Sequence, residues 1–203
     1  MPPAPRRSRA LAHLLTVVGM LLILPSTASA DPNSIELTFP QDPLATEFVD
    51  SFGAARSGGR SHQGSDLMAP KMTPVYAAAD GTITLVGEGG TAGRWVIVDH
   101  GDDVETWYLH LNNDTPGTDD GSADWAYTLT PGIEEGAQVR AGQHIGWVGD
   151  SGNAEWTGSH THFELHQDGR VLNPYPYLAP AHDDAVRKVL AVRDAIRRAS
   201  IIR

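Results

Sequence analysis

The chain predicts a mainly β protein, assembled from short antiparallel strands and closed by one amphipathic helix. Three observations carry that reading. Runs such as RWVIVDH (94–100), ETWYLHL (105–111) and HTHFELH (160–166) have strand composition, rich in β-branched and aromatic residues with side chains that alternate between two faces. TPVYAAADGTITLVG (73–87) and EEGAQVRAGQHIGWVG (134–149) each place a Val, a Gly-containing turn and a second apolar strand ending in Val-Gly, the pattern of paired short hairpins. A helical period governs residues 183–203. A chain of 203 residues suits one well-packed domain, and three segments are expected: 1–30, 31–182 and 183–203.

The first segment reads as a signal peptide. Arg6, Arg7 and Arg9 make a positive start, Leu11 to Leu24 an apolar stretch, and Ala28-Ser29-Ala30 a small-residue cleavage site before Asp31. The apolar stretch is shorter than the ~20 residues a membrane-spanning helix needs, so cleavage is favoured over anchoring. A secreted, extracytoplasmic protein with no membrane span after cleavage is expected. There is no Cys, which excludes disulfides, a thiolate metal site and a Cys nucleophile. No G-x-S-x-G element supports Ser-based hydrolysis. Between Asp31 and His182 there are six basic and twenty-two acidic residues, so nucleic acid is excluded as a partner: phosphate binding needs a basic surface.

Two short motifs carry chemistry. SHQGSD holds His62 and Asp66 in an H-x-x-x-D spacing, and SHTHFELH holds His160 and His162 in an H-x-H. On a strand, His160, His162, Glu164 and His166 point to one face, and Thr161, Phe163 and Leu165 to the other. Zinc takes neutral imidazole nitrogens and carboxylate oxygens, and a catalytic zinc keeps three protein ligands with one open position. His62, Asp66 and one of the H-x-H pair satisfy that count. With nine His in the chain, either motif alone is weak. His166 lies two pleats beyond His162, about 13 Å away by strand rise, too far to share its metal. Glu164 is suited to accept the second N–H of a ligand imidazole. His100 and His144, beside turns, read as structural.

FGAARSGGRSHQGSDLMAP (52–70), TPVYAAADGTI, TWYLHL, VRAGQHIGWVGDSGN, HTHFEL and VLNPYPYL follow one another in an order that resembles the lysostaphin and LytM-type zinc metallopeptidases, over roughly Phe39 to Leu178. The resemblance implies an antiparallel β-sheet hydrolase fold with a substrate groove across one sheet, related to the barrel-sandwich hybrid of biotinyl and lipoyl domains. The lysine those carriers modify is absent here. It implies Zn2+ on His62, Asp66 and His162, with His160 and His110 in catalysis: His160 as general base and His110 as oxyanion donor. Thr161 stands where the family more often has Leu, and it points away from the metal. The implied function is a secreted zinc endopeptidase, a monomer, acting on peptidoglycan stem or bridge peptides. A non-catalytic wall-binding or amidase-activating module and a secreted zinc peptidase acting on proteins are the alternatives.

Two segments stay open. NNDTPGTDDGSADWAYTLT (112–130) follows His110 and is long for a compact domain; it is expected to wall the groove. Asn112, Asp114, Asp119, Asp120 and Asp124 could supply oxygen ligands to calcium, but their spacing is not that of an EF-hand loop, and local Asx-type turns are the favoured reading. In the C-terminal helix, Asp183 or Asp184 is expected to cap the start, with Val186, Val189, Leu190, Val192 and Ile196 as an apolar stripe. Arg187, Lys188, Arg193, Arg197 and Arg198 cover much of the remainder. That basic face offers a surface contact to an anionic membrane or wall polymer. The favoured reading is a stripe packed on the domain with its arginines on the acidic surface.

Overall fold

A computed structural model describes residues 35–201; the signal-peptide expectation for residues 1–30 lies outside them. Nine strands precede one long helix: β1 (Ser65–Met68), β2 (Pro74–Tyr76), β3 (Gly81–Gly89), β4 (Gly93–Asp99), β5 (Val104–Leu111), β6 (Gln138–Val139), β7 (His144–Trp147), β8 (His160–Gln167), β9 (Arg170–Leu172) and α1 (Tyr175–Ile201). The main sheet runs β1-β8-β5-β4-β3-β6, with β9 also pairing β8, and β2 pairs β7 in a small second sheet. Every pairing is antiparallel. The main sheet curls into a half-barrel.

Alternation on β5 and β8 separates core from groove. Val104, Thr106 and Tyr108 point inward and are buried, while Glu105, Trp107 and Leu109 stay partly open on the other face. On β8, Phe163 and Leu165 join Leu67, Val96, Val98 and Ile145 in the core, and His160, His162 and Glu164 take the groove face. Tyr108 is fully buried, and its hydroxyl accepts the Ala78 N–H at 2.7 Å. Burial pushes that phenol up to about 12, so it stays neutral.

The helix departs from expectation at both ends. It begins at Tyr175, eight residues before Asp183, and Asn173 Oδ1 accepts the Tyr175 N–H at 3.0 Å. Proline tolerates the first turn, where an N–H has no helical partner, so Pro176 fits the earlier start. Asp184 caps nothing; it pairs with Lys188 at 2.6 Å and Arg187 at 3.4 Å along the helix. Leu178 is buried, and His182 packs between Phe39 and Phe48 with its Nε2 donating to the Pro43 carbonyl at 2.9 Å. Past Val189 the stripe leaves the domain: Leu190, Val192 and Ile196 are 45%, 59% and 64% exposed. Arg187 and Arg197 pair with Asp184 and Asp194 of their own helix, not with the acidic sheet. Among the described residues no helix is long and apolar enough to cross a membrane.

Candidate metal centre

Register brings the two motifs together. β1 and β8 pair so that Asp66 lies opposite His162 and Met68 opposite His160, and directly opposed residues on one sheet face touch. The approach is close because Gly64 has no side chain: a Cβ there would meet the Phe163 carbonyl oxygen at 2.3 Å and His162 Nε2 at 2.9 Å. His62, in the loop before β1, reaches the same point. His62 Nε2, Asp66 Oδ1 and His162 Nδ1 form a triangle with sides of 2.9, 2.9 and 3.0 Å.

The outer nitrogens of both rings are already committed. His62 Nδ1 donates to the Ser51 carbonyl at 3.0 Å, so Nε2 of the neutral ring carries a lone pair into the triangle. His162 Nε2 donates to Glu164 Oε1 at 3.0 Å, which leaves a lone pair on Nδ1 of its neutral ring. Asp66 is ionised: burial opposes this, but the surrounding histidines His162, His62 and His160 outweigh it and hold the carboxyl far below the usual range, and Arg56 donates to its other oxygen, Oδ2. Three acceptor atoms therefore face one another. Either a proton on His162 or a cation must hold them together, and two imidazoles with one carboxylate suit a divalent ion such as zinc. Burial works against charging His162, yet Asp66 and Glu164 on its two nitrogens raise its pKa.

His160 and His110 complete the floor, with ring centroids 5.0 Å apart. His160 Nδ1 donates to the Gly158 carbonyl at 2.8 Å and His110 Nδ1 to the Ser151 carbonyl at 2.9 Å. Each neutral ring thus has a bare Nε2. Burial lowers the pKa of both, that of His110 to about 4. Alternation along β5 would turn His110 into the core beside Tyr108. Instead its φ is +61°, a left-handed conformation unusual outside Gly, and the ring lines the groove.

The groove has a volume of about 760 Å³. Arg56 and Arg60, from the loop before β1, Thr91 and Ala92, from the β3–β4 turn, and Asn153, Ala154 and Thr157, from the β7–β8 loop, line it.

Comparison with known proteins gives the family. The family model "Peptidase family M23" matches residues 60–174, more than half of the chain. The chain belongs to peptidase family M23. A DD-carboxypeptidase/endopeptidase, Mpg, of Neisseria meningitidis is 37% identical over 121 residues, 60% of this chain and 24% of the relative. A murein hydrolase activator, NlpD, of Salmonella dublin is 27% identical over 170 residues, 80% of this chain and 39% of the relative. The chain spans about a quarter of the length of the first curated relatives it matches. Among solved structures, a zinc-containing peptidase from Vibrio cholerae superposes with a TM-score of 0.54 at 26% identity, covering 68% of this chain and 39% of that one. The catalytic domain of lysostaphin from Staphylococcus simulans gives 0.51 at 25% identity, covering 66% and 92%.

The M23 domain brings all five singled-out residues, His62, Asp66, His110, His160 and His162, to one groove. Glu164 sits where its chemistry suggests, between His162 and His166, whose Nε2 lies 2.7 Å from Oε2. Burial would raise Glu164, but both imidazoles pull it down to about 2. His166 stacks on Trp107 instead of reaching the triangle. His100 bonds the Asp80 carbonyl and Thr106, and His144 the Gly146 carbonyl, so both are structural.

The 112–130 segment does not wall the groove of the M23 domain; it packs behind the loop that does. Asp120 accepts the Thr115 and Ser122 N–H groups, and Asp124 caps the short helix Trp125–Tyr127. Asn112 Nδ2 donates to the Asp114 and Tyr127 carbonyls. Asp114 and Asp119 converge, but on Lys71, whose Nζ lies 2.7 and 2.5 Å from them and 2.8 Å from Asp150. Lys71 thus lies among carboxylates that are candidate calcium ligands by sequence, and the local turns favoured for the segment are present. Sequence reasoning missed Arg56, whose guanidinium reaches Asp66 Oδ2 at 2.5 Å, and the carbonyls of Ser51, Ser151 and Gly158 that fix the rings. Backbone carbonyls leave no residue-type signal, and an Arg ten positions before an Asp has no spacing rule.

Proposed function

We propose that the chain is a zinc-dependent endopeptidase acting outside the cytoplasm on the peptide cross-links of bacterial peptidoglycan. The observation that carries this reading is the triangle of facing acceptors on His62, Asp66 and His162, with the remaining ring nitrogens already hydrogen-bonded. The zinc-containing Vibrio peptidase supports the metal, and the Neisseria relative, a DD-carboxypeptidase/endopeptidase, supports the reaction. A peptidoglycan DD-endopeptidase, ShyA, of Vibrio cholerae, 31% identical over 130 residues, 64% of this chain and 26% of the relative, supports the substrate.

His62, Asp66 and His162 would hold the ion. Bound there, zinc supplies a Lewis acid that lowers the pKa of water and polarises an amide carbonyl. His160 faces the same space with a bare Nε2, 3.7 Å from Asp66 Oδ1, and accepts the proton of the attacking water. His110 takes a different part from the donor's role expected of it. Its Nδ1–H serves Ser151, so the neutral ring can only accept at Nε2 and donates there only after gaining a proton. His160 takes the proton of the water and returns it to the leaving amine nitrogen, with the Nε2 of His110 beside it as a second polar atom toward the substrate.

The Salmonella relative favours a second reading, a binding module that activates another hydrolase. One experiment separates the two: purified cross-linked peptidoglycan is incubated with the zinc-loaded chain and with Asp66→Ala, and the fragments are weighed by mass spectrometry. New peptide ends made by the first and not the second are expected. Zinc-loaded protein that binds wall without cutting any cross-link would establish the module instead.

A further inference from the structure

The loop between β7 and β8 carries the most exposed large apolar side chain among the described residues. Trp156 is 92% exposed, although Trp is on average one of the more buried residue types. The loop around it is pinned. Asn153 N–H donates to the Thr91 carbonyl at 3.1 Å, and Ala154 is buried. Thr157 bonds the Ala154 carbonyl through its N–H at 2.7 Å and its hydroxyl at 2.9 Å. Ser159 Oγ donates to the Ala69 carbonyl at 2.7 Å. Trp156 is therefore held out on a closed turn, and Asn153, Ala154 and Thr157 of the same turn line the catalytic groove.

An indole free on both faces beside a binding groove is a surface for a flat apolar ligand. The surroundings select its chemistry. Glu155 precedes Trp156 in the chain, and its carboxylate clusters with those of Asp114 and Asp119, with Asp150 also around Lys71. A ligand carboxylate would be repelled beside this cluster, whereas Arg56 and Arg60, which line the groove from the loop before β1, would attract one. A pyranose ring meets the conditions at Trp156: its face of C–H bonds is apolar and slightly positive, matching the negative face of the indole. Its hydroxyl and acetamido groups find partners in Asn153, Glu155 and Thr157.

We infer that Trp156 is a docking platform for a neutral amino-sugar ring of the glycan strand that carries the peptide, so that the strand lies along the Trp156 wall. This rests on the peptidoglycan reading above and names where the polymer's sugar is held. Two substrates test it in the full zinc-loaded chain: cross-linked peptidoglycan with its glycan, and the same cross-linked peptides freed of glycan by an amidase. With Trp156→Ala, KM on the glycan-bearing substrate is expected to rise about tenfold, the scale of a lost aromatic anchor. Both kcat and the rate on free peptides should hold, and Trp156→Phe should restore most of the loss. Equal losses on both substrates, or no loss on either, overturn the inference.

A second readout does not depend on hydrolysis. Peptide-free oligosaccharide of N-acetylhexosamines should change the tryptophan fluorescence of the wild type and of Asp66→Ala, and leave that of Trp156→Ala unchanged. Sugar binding through Trp156 in a chain that cuts no cross-link would sink the endopeptidase reading and leave this one standing; no fluorescence change in an active wild type would do the reverse.

Discussion

At the scale of single residues, the site is a problem of lone pairs. His62→Ala or Asp66→Ala removes one corner of the acceptor triangle, so zinc content and turnover should vanish together when both are assayed on one preparation. His160→Ala leaves the triangle intact and should keep its zinc while losing about 10²- to 10⁴-fold in rate, the usual scale for a general base. The sign of the pH dependence follows from His162, whose pKa is raised above the ordinary 6.5. A proton on its Nδ1 competes with the metal, so competition starts above pH 6.5 and strengthens as pH falls. Zinc affinity from calorimetry should drop about tenfold per pH unit below that pKa, and binding should release a proton to buffer. An affinity flat between pH 8 and pH 6 would show that His162 is already bare. The shared face of His160, His162 and Glu164 was legible because strand periodicity acts on side chains, whereas the choice among the histidines came from the resemblance to a family. Arg56 and the carbonyls that set the tautomers were not legible, since contact between distant loops leaves no local pattern.

At the scale of elements, β8 and the hairpin turns could be read directly, because alternation and Gly punctuation are properties of a strand by itself. His110 shows where that stops. Its place on β5 was legible, but its side chain reaches the groove through a left-handed backbone that alternation cannot foresee. The 112–130 segment was read correctly in its local turns and wrongly in its place, because Lys71, more than forty residues earlier, is what fixes it. Asp114 and Asp150 are buried around that ammonium, and carboxylates H-bonded to it raise the Lys71 pKa despite the burial that opposes its charge. Lys71→Met removes the cation and leaves the carboxylates facing one another. A loss of about 2–4 kcal/mol is expected from urea denaturation, within the range for a broken, partly buried ion pair. A midpoint unchanged within error would mean the cluster is solvated well enough to need no lysine.

At the scale of the whole molecule, the charge and the apolar stripe of α1 are divided between two environments. From Tyr175 to Ala185 the helix belongs to the core: Leu178 is fully buried, and Tyr177, Ala181 and Ala185 pack against the same cluster. Beyond Val189 the same stripe faces water, and Arg197 pairs with Asp194 of the helix itself. The apolar stripe was visible in the sequence, but where the domain surface ends was not, because that depends on residues distant in the chain that pack against the helix. Isolated helices shorter than about 12–15 residues are marginal in water, and packing supplies most helical stability in proteins. The two halves should therefore respond differently to change. Leu178→Ala should lower unfolding free energy by about 2–5 kcal/mol, as for other buried leucines. Ending the chain after Val189 removes exposed surface alone and should move the thermal midpoint by no more than about 2 °C. If that truncation instead melts the domain several degrees earlier, the distal stripe is covered in solution, and the concentration dependence of the midpoint would tell whether a second copy covers it.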